Sequence, residues 1–135
     1  MQKILVGTDT TASADMAVNA AAELAGECEA ELLVMYVRAD DGAADAADPR
    51  KPADPQRYLA RMAERFPQIR VRSWSEVGDP AERICEVAAD ERVDTIVVGN
   101  KGVGRPRWHV RESVPNLVVR HAPCSVFIVD TRAAR

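Results

Sequence analysis

The sequence predicts an α/β fold, a doubly wound three-layer domain in which a parallel sheet is covered by helices on both faces. Apolar runs of strand length alternate with stretches of helical periodicity, the pattern of repeated βαβ units. Most of those runs are apolar at consecutive positions, as expected of strands buried on both sides. The size fits one such domain: 135 residues and 14.7 kDa, with 47% hydrophobic and 29% charged residues. A chain of this length buries about 68% of its unfolded surface and needs neither disulfides nor a structural metal to fold.

The first strand is Ile4 to Thr8, within the run Lys3-Ile-Leu-Val-Gly-Thr-Asp9. Ala14, Ala17, Val18, Ala21 and Ala25 then recur at helical spacing, and Gly26 is placed to end that helix in a left-handed cap. Leu32 to Val37 is the second strand, in which Met35 and Tyr36 need be no more than core. From Arg38 to Asp54 there is no periodicity, with five aspartates and two prolines. Such a segment is either disordered, the reading its composition favours, or a functional lid. Leu59, Met62, Ala63 and Phe66 mark a second helix that Pro67 stops, and Ile69 to Val77 alternates as a half-exposed edge strand.

Gly78-Asp79-Pro80-Ala81-Glu82 is a sharp helix start, with Asp79 as N-cap, Pro80 at the first helical position and Glu82 set for a capping-box return. The stripe Ala81, Ile84, Val87 and Ala88 leads to a fourth buried strand, Asp94 to Gly99. Ser113 to Arg120 is a short helix, Pro123 a stop, and Ser125 to Asp130 the fifth strand. Right-handed crossovers then give the doubly wound sheet.

Composition excludes several classes. A net charge of −3 gives no electrostatic reason to expect nucleic acid or an acidic membrane as partner, and 4% aromatics leave little from which to build a base-stacking platform. No window approaches the ~18 apolar residues of a membrane span, and Asp9 comes too early for a secretory signal, so the expected address is cytoplasmic. Cys28, Cys85 and Cys124 are odd in number and widely spaced, which reads as reduced, mostly buried thiols. No metal site is expected.

The segment from Gly99 to Ser113 leaves the carboxyl end of a buried strand and ends at a helix N-terminus, where ligands bind in open α/β sheets. Gly99, Gly102 and Gly104 permit close backbone approach to a phosphate. From Gly99 to Arg111 there are four Lys or Arg, one His and no acid, a positive patch in an acidic protein. The same stretch also reads as an ordinary solvated loop. Neither GxxxxGK[ST] nor GxGxxG after the first strand is present, which disfavours P-loop and dinucleotide chemistry.

These residues resemble the universal stress proteins, whose ATP-binding members carry G-x2-G-x9-G-[ST] here. The resemblance spans nearly the whole chain: the opening strand ending in Asp9, Gly78 to Glu82, Val97-Val-Gly-Asn-Lys-Gly102, Ser113-Val114, and Ala122 to Val129. It implies one domain over residues 1–135 and a five-stranded parallel sheet of order 3-2-1-4-5, Rossmann-like and similar to the adenine nucleotide alpha hydrolases. It further implies an adenine nucleotide, ATP by default with cyclic AMP as second candidate, and magnesium if ATP binds. Positions matching Thr8 and Asp9 would hold adenine and ribose or the metal, and Val37 would line the adenine pocket. Val98, Gly99, Asn100 and Gly102 would form the phosphate loop, with Ser113 and Val114 giving amide and hydroxyl donors. No catalytic residue is expected beyond slow hydrolysis, because no Ser or Cys has a recognisable partner pattern. The family also implies a homodimer through strand five, Val126 to Val129, whose apolar edge invites pairing.

Two positions depart from the family pattern. Glu112 stands where the motif has its third glycine, and Pro115 where a hydroxyl residue is common. At an effective dielectric near 20, unit charges about 4 Å apart repel by roughly 4 kcal/mol, on the order of a thousandfold in affinity. Glu112 could instead help hold magnesium, or occupy the helix N-terminus itself. Arg105, Arg107 and Arg111 are placed to compensate by pairing with phosphate, while Trp108 reads as a loop anchor and His109 and His121 as surface residues. The alternative is a nucleotide-free member acting through protein contacts. A receiver domain shares the layering, but its lysine is absent from the fifth-strand region.

Overall fold

The computed structural model describes residues 1–9, 11–38, 55–100 and 113–131. The aspartate-rich connection read as disordered, with Gly102, Gly104, Glu112 and the arginines of the positive loop, lies outside the described residues. The elements are β1 (Lys3–Thr8), α1 (Ala12–Cys28), β2 (Glu31–Arg38), α2 (Pro55–Ala60), α3 (Met62–Arg65), β3 (Val71–Val77), α4 (Pro80–Asp90), β4 (Thr95–Gly99), α5 (Val114–His121) and β5 (Ser125–Val129). All five strands pair in parallel in the order β3-β2-β1-β4-β5, as the family resemblance implied.

Strand β1 is the axis of the sheet. Lys3 to Thr8 register with Glu31 to Tyr36 of β2 on one side, and Ile4 to Val6 with Thr95 to Val97 of β4 on the other. Alternate side chains feed two cores. Ile4, Val6, Leu32, Val34, Tyr36 and Val97 pack with the alanine face of α1 and with Leu59 and Met62. Leu5, Leu33, Met35, Ile96 and Val98 pack beneath α4 and α5. The consecutive apolar runs are therefore explained by burial on both faces. Among the described residues no helix is long and apolar enough to cross a membrane.

Several boundaries differ from expectation, each for a local reason. Helix α1 passes through Gly26 and ends at Cys28, with Glu29 in the left-handed conformation at φ 54°. The Glu29 N–H donates to Gly26 O and the Ala30 N–H to Ala25 O, a Schellman closure in which buried Ala25 and Ala30 meet. Packing of Cys28 on the α1-side core prolongs the helix beyond the glycine. The helix expected over 59–66 is divided into α2 and α3, because the Arg61 N–H reaches Tyr58 O in a tight 3₁₀-type turn. Strand β3 begins at Val71 rather than Ile69, whose N–H closes a turn on Phe66 O.

At α4, Asp79 accepts from the Glu82 N–H at 2.9 Å, but Glu82 is exposed and no return bond from its side chain is present among the described residues. Gly78, at φ +143°, occupies backbone space that suits glycine and donates its N–H to Arg38 O. Asp94 precedes β4 instead of opening it, and its Oδ2 accepts from the Gln2 and Lys3 N–H groups. The three cysteines are free and half-buried rather than mostly buried, and burial pushes the Cys85 and Cys124 thiols up.

Glu29 holds the position where glycine has no Cβ penalty. Glu29→Gly is expected to stabilise the fold by about 0.5–1 kcal/mol, measured as a rise in the urea midpoint at unchanged m-value.

Candidate nucleotide-binding site

The order β3-β2-β1-β4-β5 makes the sheet reverse direction of growth at β1, and the crevice beyond the carboxyl ends of its strands is the default ligand position. Three of the expected site residues meet at that edge. Thr8 ends β1 and pairs with Tyr36, next to Val37 on β2. Gly99 ends β4, two positions beyond the register pair Val6–Val97. Helix α5 connects β4 to the parallel β5, so it runs back across the sheet and its N-terminus stands at the same carboxyl edge.

Ser113 is the N-cap of α5, its hydroxyl accepting from the Asn116 N–H at 3.3 Å, and Pro115 is buried in the first turn. The cap satisfies the Asn116 N–H, Pro115 has none to satisfy, and the positive end of the helix dipole with the Val114 N–H stands at the carboxyl edge. Val114 packs partly into the α4-side core. Val98 is buried in the same core, so its side chain supports the strand and leaves its neighbour Gly99 to face the edge. Val37 is half-buried against that core.

Thr8 is buried and Asp9 half-buried. One oxygen of Asp9 accepts from both the N–H, at 3.0 Å, and the hydroxyl of Thr11, which in turn caps α1. The carboxylate is thereby held at the β1–α1 corner, with its second oxygen free of any such bond among the described residues. No group of three metal-ligating side chains occurs among the described residues. Asn100 turns its side chain to Asp130 and Thr131 at the end of β5. Gly102 lies outside the described residues.

A polar cluster beside Thr8 was not legible in the sequence. The Tyr58 hydroxyl donates to Asp15 Oδ1 at 2.6 Å, and its oxygen takes a hydrogen bond from Thr8. Arg65 grips both oxygens of Asp15, at 2.6 and 2.8 Å, and also donates to Asn19. The bidentate pair fastens α2 and α3 over the start of α1, and Ser73 and Gln56 add bonds between β3 and α2. Tyr58 and Asp15 are 43 residues apart, so no spacing rule joins them. Burial pushes the Asp15 carboxyl up, but the bonds from Arg65 and Tyr58 outweigh it and hold the group below its ordinary value. Burial, then the bond to Asp15, pushes the Tyr58 phenol up to about 12.

Comparison with known proteins agrees with this architecture. Residues 1–130 match the Universal stress protein family. A universal stress protein of Mycobacterium tuberculosis is 32% identical over 141 residues, covering 95% of each chain. One from Methanothermobacter thermautotrophicus is 40% identical over 65 residues, 48% of this chain and 44% of that protein. In that match and two other local ones, the chain spans about a third to a half of the relative's length. The fold is also similar to the crystal structure of a universal stress protein in complex with cAMP, with a TM-score of 0.81 and 27% identity over 96% of this chain and 97% of that one.

The cluster has a signature at both ends of the pH scale. Between its folded value and the unfolded value of about 3.9, Asp15 binds more proton in the unfolded chain, so stability falls as pH drops through that window. Between about 10 and 12 the folded chain keeps the Tyr58 proton that the unfolded chain releases, so stability falls as pH rises there. Urea titrations across pH are expected to show a shallower acid limb in Asp15→Asn and a shallower alkaline limb in Tyr58→Phe.

Proposed function

The chain belongs to the universal stress protein family, and on that footing we propose that it is a sensing module that binds an adenine nucleotide at the carboxyl edge of β1 and β4. The observation that carries this reading is the convergence of Thr8, Val37, Gly99 and the capped N-terminus of α5 on one edge of the sheet. It is supported by the overall likeness to the cAMP-bound family member. ATP and cyclic AMP are the two candidate ligands. Thr8, Asp9 and Val37 take the adenosine end. Val98, Gly99 and Gly102, with Ser113 and Val114, form the phosphate end beside Asn100, where the N-terminus of a helix suits an anion.

The residues present fit such a group in one specific respect: the opening of α5 carries no acid in its first turn, and the Val114 N–H is left for a phosphate, since Ser113 caps the Asn116 N–H and Pro115 has none. Asp9, with one oxygen engaged by Thr11, is placed to share a magnesium ion brought with ATP. The module binds rather than turns over its ligand, with slow hydrolysis as its upper limit. Its address is cytoplasmic, and nucleic acid and membrane are not among its partners.

A second reading, a nucleotide-free member acting through protein contacts, draws on Glu112. Calorimetric titration of the nucleotide-stripped protein with ATP and magnesium, run beside cyclic AMP and beside Glu112→Gly, separates the two. Micromolar binding by the native protein is expected, with a gain of up to about a thousandfold for ATP in Glu112→Gly. Silence of the native protein with both ligands, against binding by the variant, overturns the sensing reading and leaves protein partners.

The same protein pairs with a second copy through β5. This edge strand pairs only with β4 among the described residues, and Phe127 and Ile128 are 49% and 42% exposed on it, flanked by half-buried Val126 and Val129. An apolar edge of this kind is a template for strand addition. Sedimentation is expected to give twice the monomer mass at micromolar concentration and the monomer mass for Phe127→Lys; monomer mass for the native chain overturns the pairing.

A further inference from the structure

Asn100 occupies a position that the family resemblance assigns to the phosphate loop, yet its polar atoms are already committed. Its N–H donates to Val129 O at 2.9 Å, and its Oδ1 accepts from the N–H and the hydroxyl of Thr131 at 3.0 and 2.9 Å. Its Nδ2 donates to Asp130 Oδ1 at 3.2 Å. Thr131 is buried, and its methyl carbon lies 3.0 Å from where a Cβ on Gly99 would stand. The absent side chain of Gly99 is thus the space that Thr131 fills. Both residues at the carboxyl end of β4 are shaped around the chain as it leaves β5.

We propose that Asn100 is a positioning residue with no contact to ligand, fixing the backbone at the mouth of the site against Thr131, so that Thr131 sets phosphate-ligand affinity from outside the site. An amide is the one side chain of this size that both accepts from Thr131 and donates to Asp130. An aspartate would keep the acceptor, lose the donor and set a carboxylate against Asp130. The affinity half of the inference rests on the adenine-nucleotide reading above; the backbone half does not.

The two halves are tested by amide hydrogen exchange at the Asn100 N–H and by titration with cyclic AMP and with adenosine, which lacks phosphate. Thr131→Val keeps the methyl contact with Gly99 and the backbone bond while deleting one donor. It is expected to speed exchange at Asn100 by about three- to tenfold and to weaken cyclic AMP by a similar factor, the worth of one net hydrogen bond. Adenosine binding is expected to be unchanged, where a general loss of structure would weaken both ligands alike. Asn100→Ala should be more severe, and adding Thr131→Val to it should change nothing further, since the two share one interaction.

Unaltered exchange and affinity in Thr131→Val, alongside loss of cyclic AMP in Asn100→Ala, would place Asn100 on the ligand and overturn the proposal. Equal weakening of adenosine and cyclic AMP overturns the affinity half. Absence of binding by the native protein overturns the nucleotide reading and that half with it, and the exchange arm then decides the backbone half alone.

Discussion

Burial of β1 on both faces and pairing on both its edges is the constraint on which the other elements depend. A strand in that position leaves no backbone group to solvent along its paired length, and every side chain must enter one core or the other. Its neighbours must therefore be parallel strands returned by crossovers, and helices must cover both sides. Chain reversal around β1 then separates the crossovers that go toward β2 from those that go toward β4, and a crevice opens where they part. Thr8 and Gly99 stand at its lip because strand pairing delivers them there.

The carboxyl edge around β1 and α5 is built from groups that hold one another. Thr11 engages Asp9 and caps α1, Tyr58 connects Thr8 to Asp15, and Ser113 caps α5. These bonds fix side chains in advance, so that a ligand bound as proposed above would be spared a cost of about 0.5–1.5 kcal/mol for each side chain it would otherwise have to order. Burial shifts Cys85 and Cys124 away from thiolate.

Much of the fold was readable because the signals were redundant. Consecutive apolar positions marked β1, β2 and β4, and Asp79-Pro80 marked a helix start that the structure keeps, while the short helix read from Ser113 has that residue as its cap. What failed were single-residue signals overruled by packing. Gly26 looked like a stop, but α1 continues until Ala25 and Ala30 are buried and Cys28 packs against the core, and Glu29 accepts the left-handed conformation as a result. The long-range polar contacts were not readable at all. Tyr58 with Asp15, and Asn100 with Thr131, join positions that carry no mutual spacing, and only the completed sheet brings them together.

The two edges of the sheet are made differently. On β3, Arg72 is held between Glu31 and Glu91, Glu76 is bonded to Trp74 and Arg83, and Ser73 and Ser75 are tied to α2, so that border is lined with charges and spent hydroxyls. On β5, Phe127 and Ile128 stand open. A sheet with two adhesive borders can add copies without end, whereas one adhesive border is consumed when it meets its own twin across a two-fold axis. The charged border of β3 would therefore make growth through this sheet self-limiting: pairing at β5 of the kind proposed above would end at a closed pair, with no second adhesive border to carry it on into a fibre.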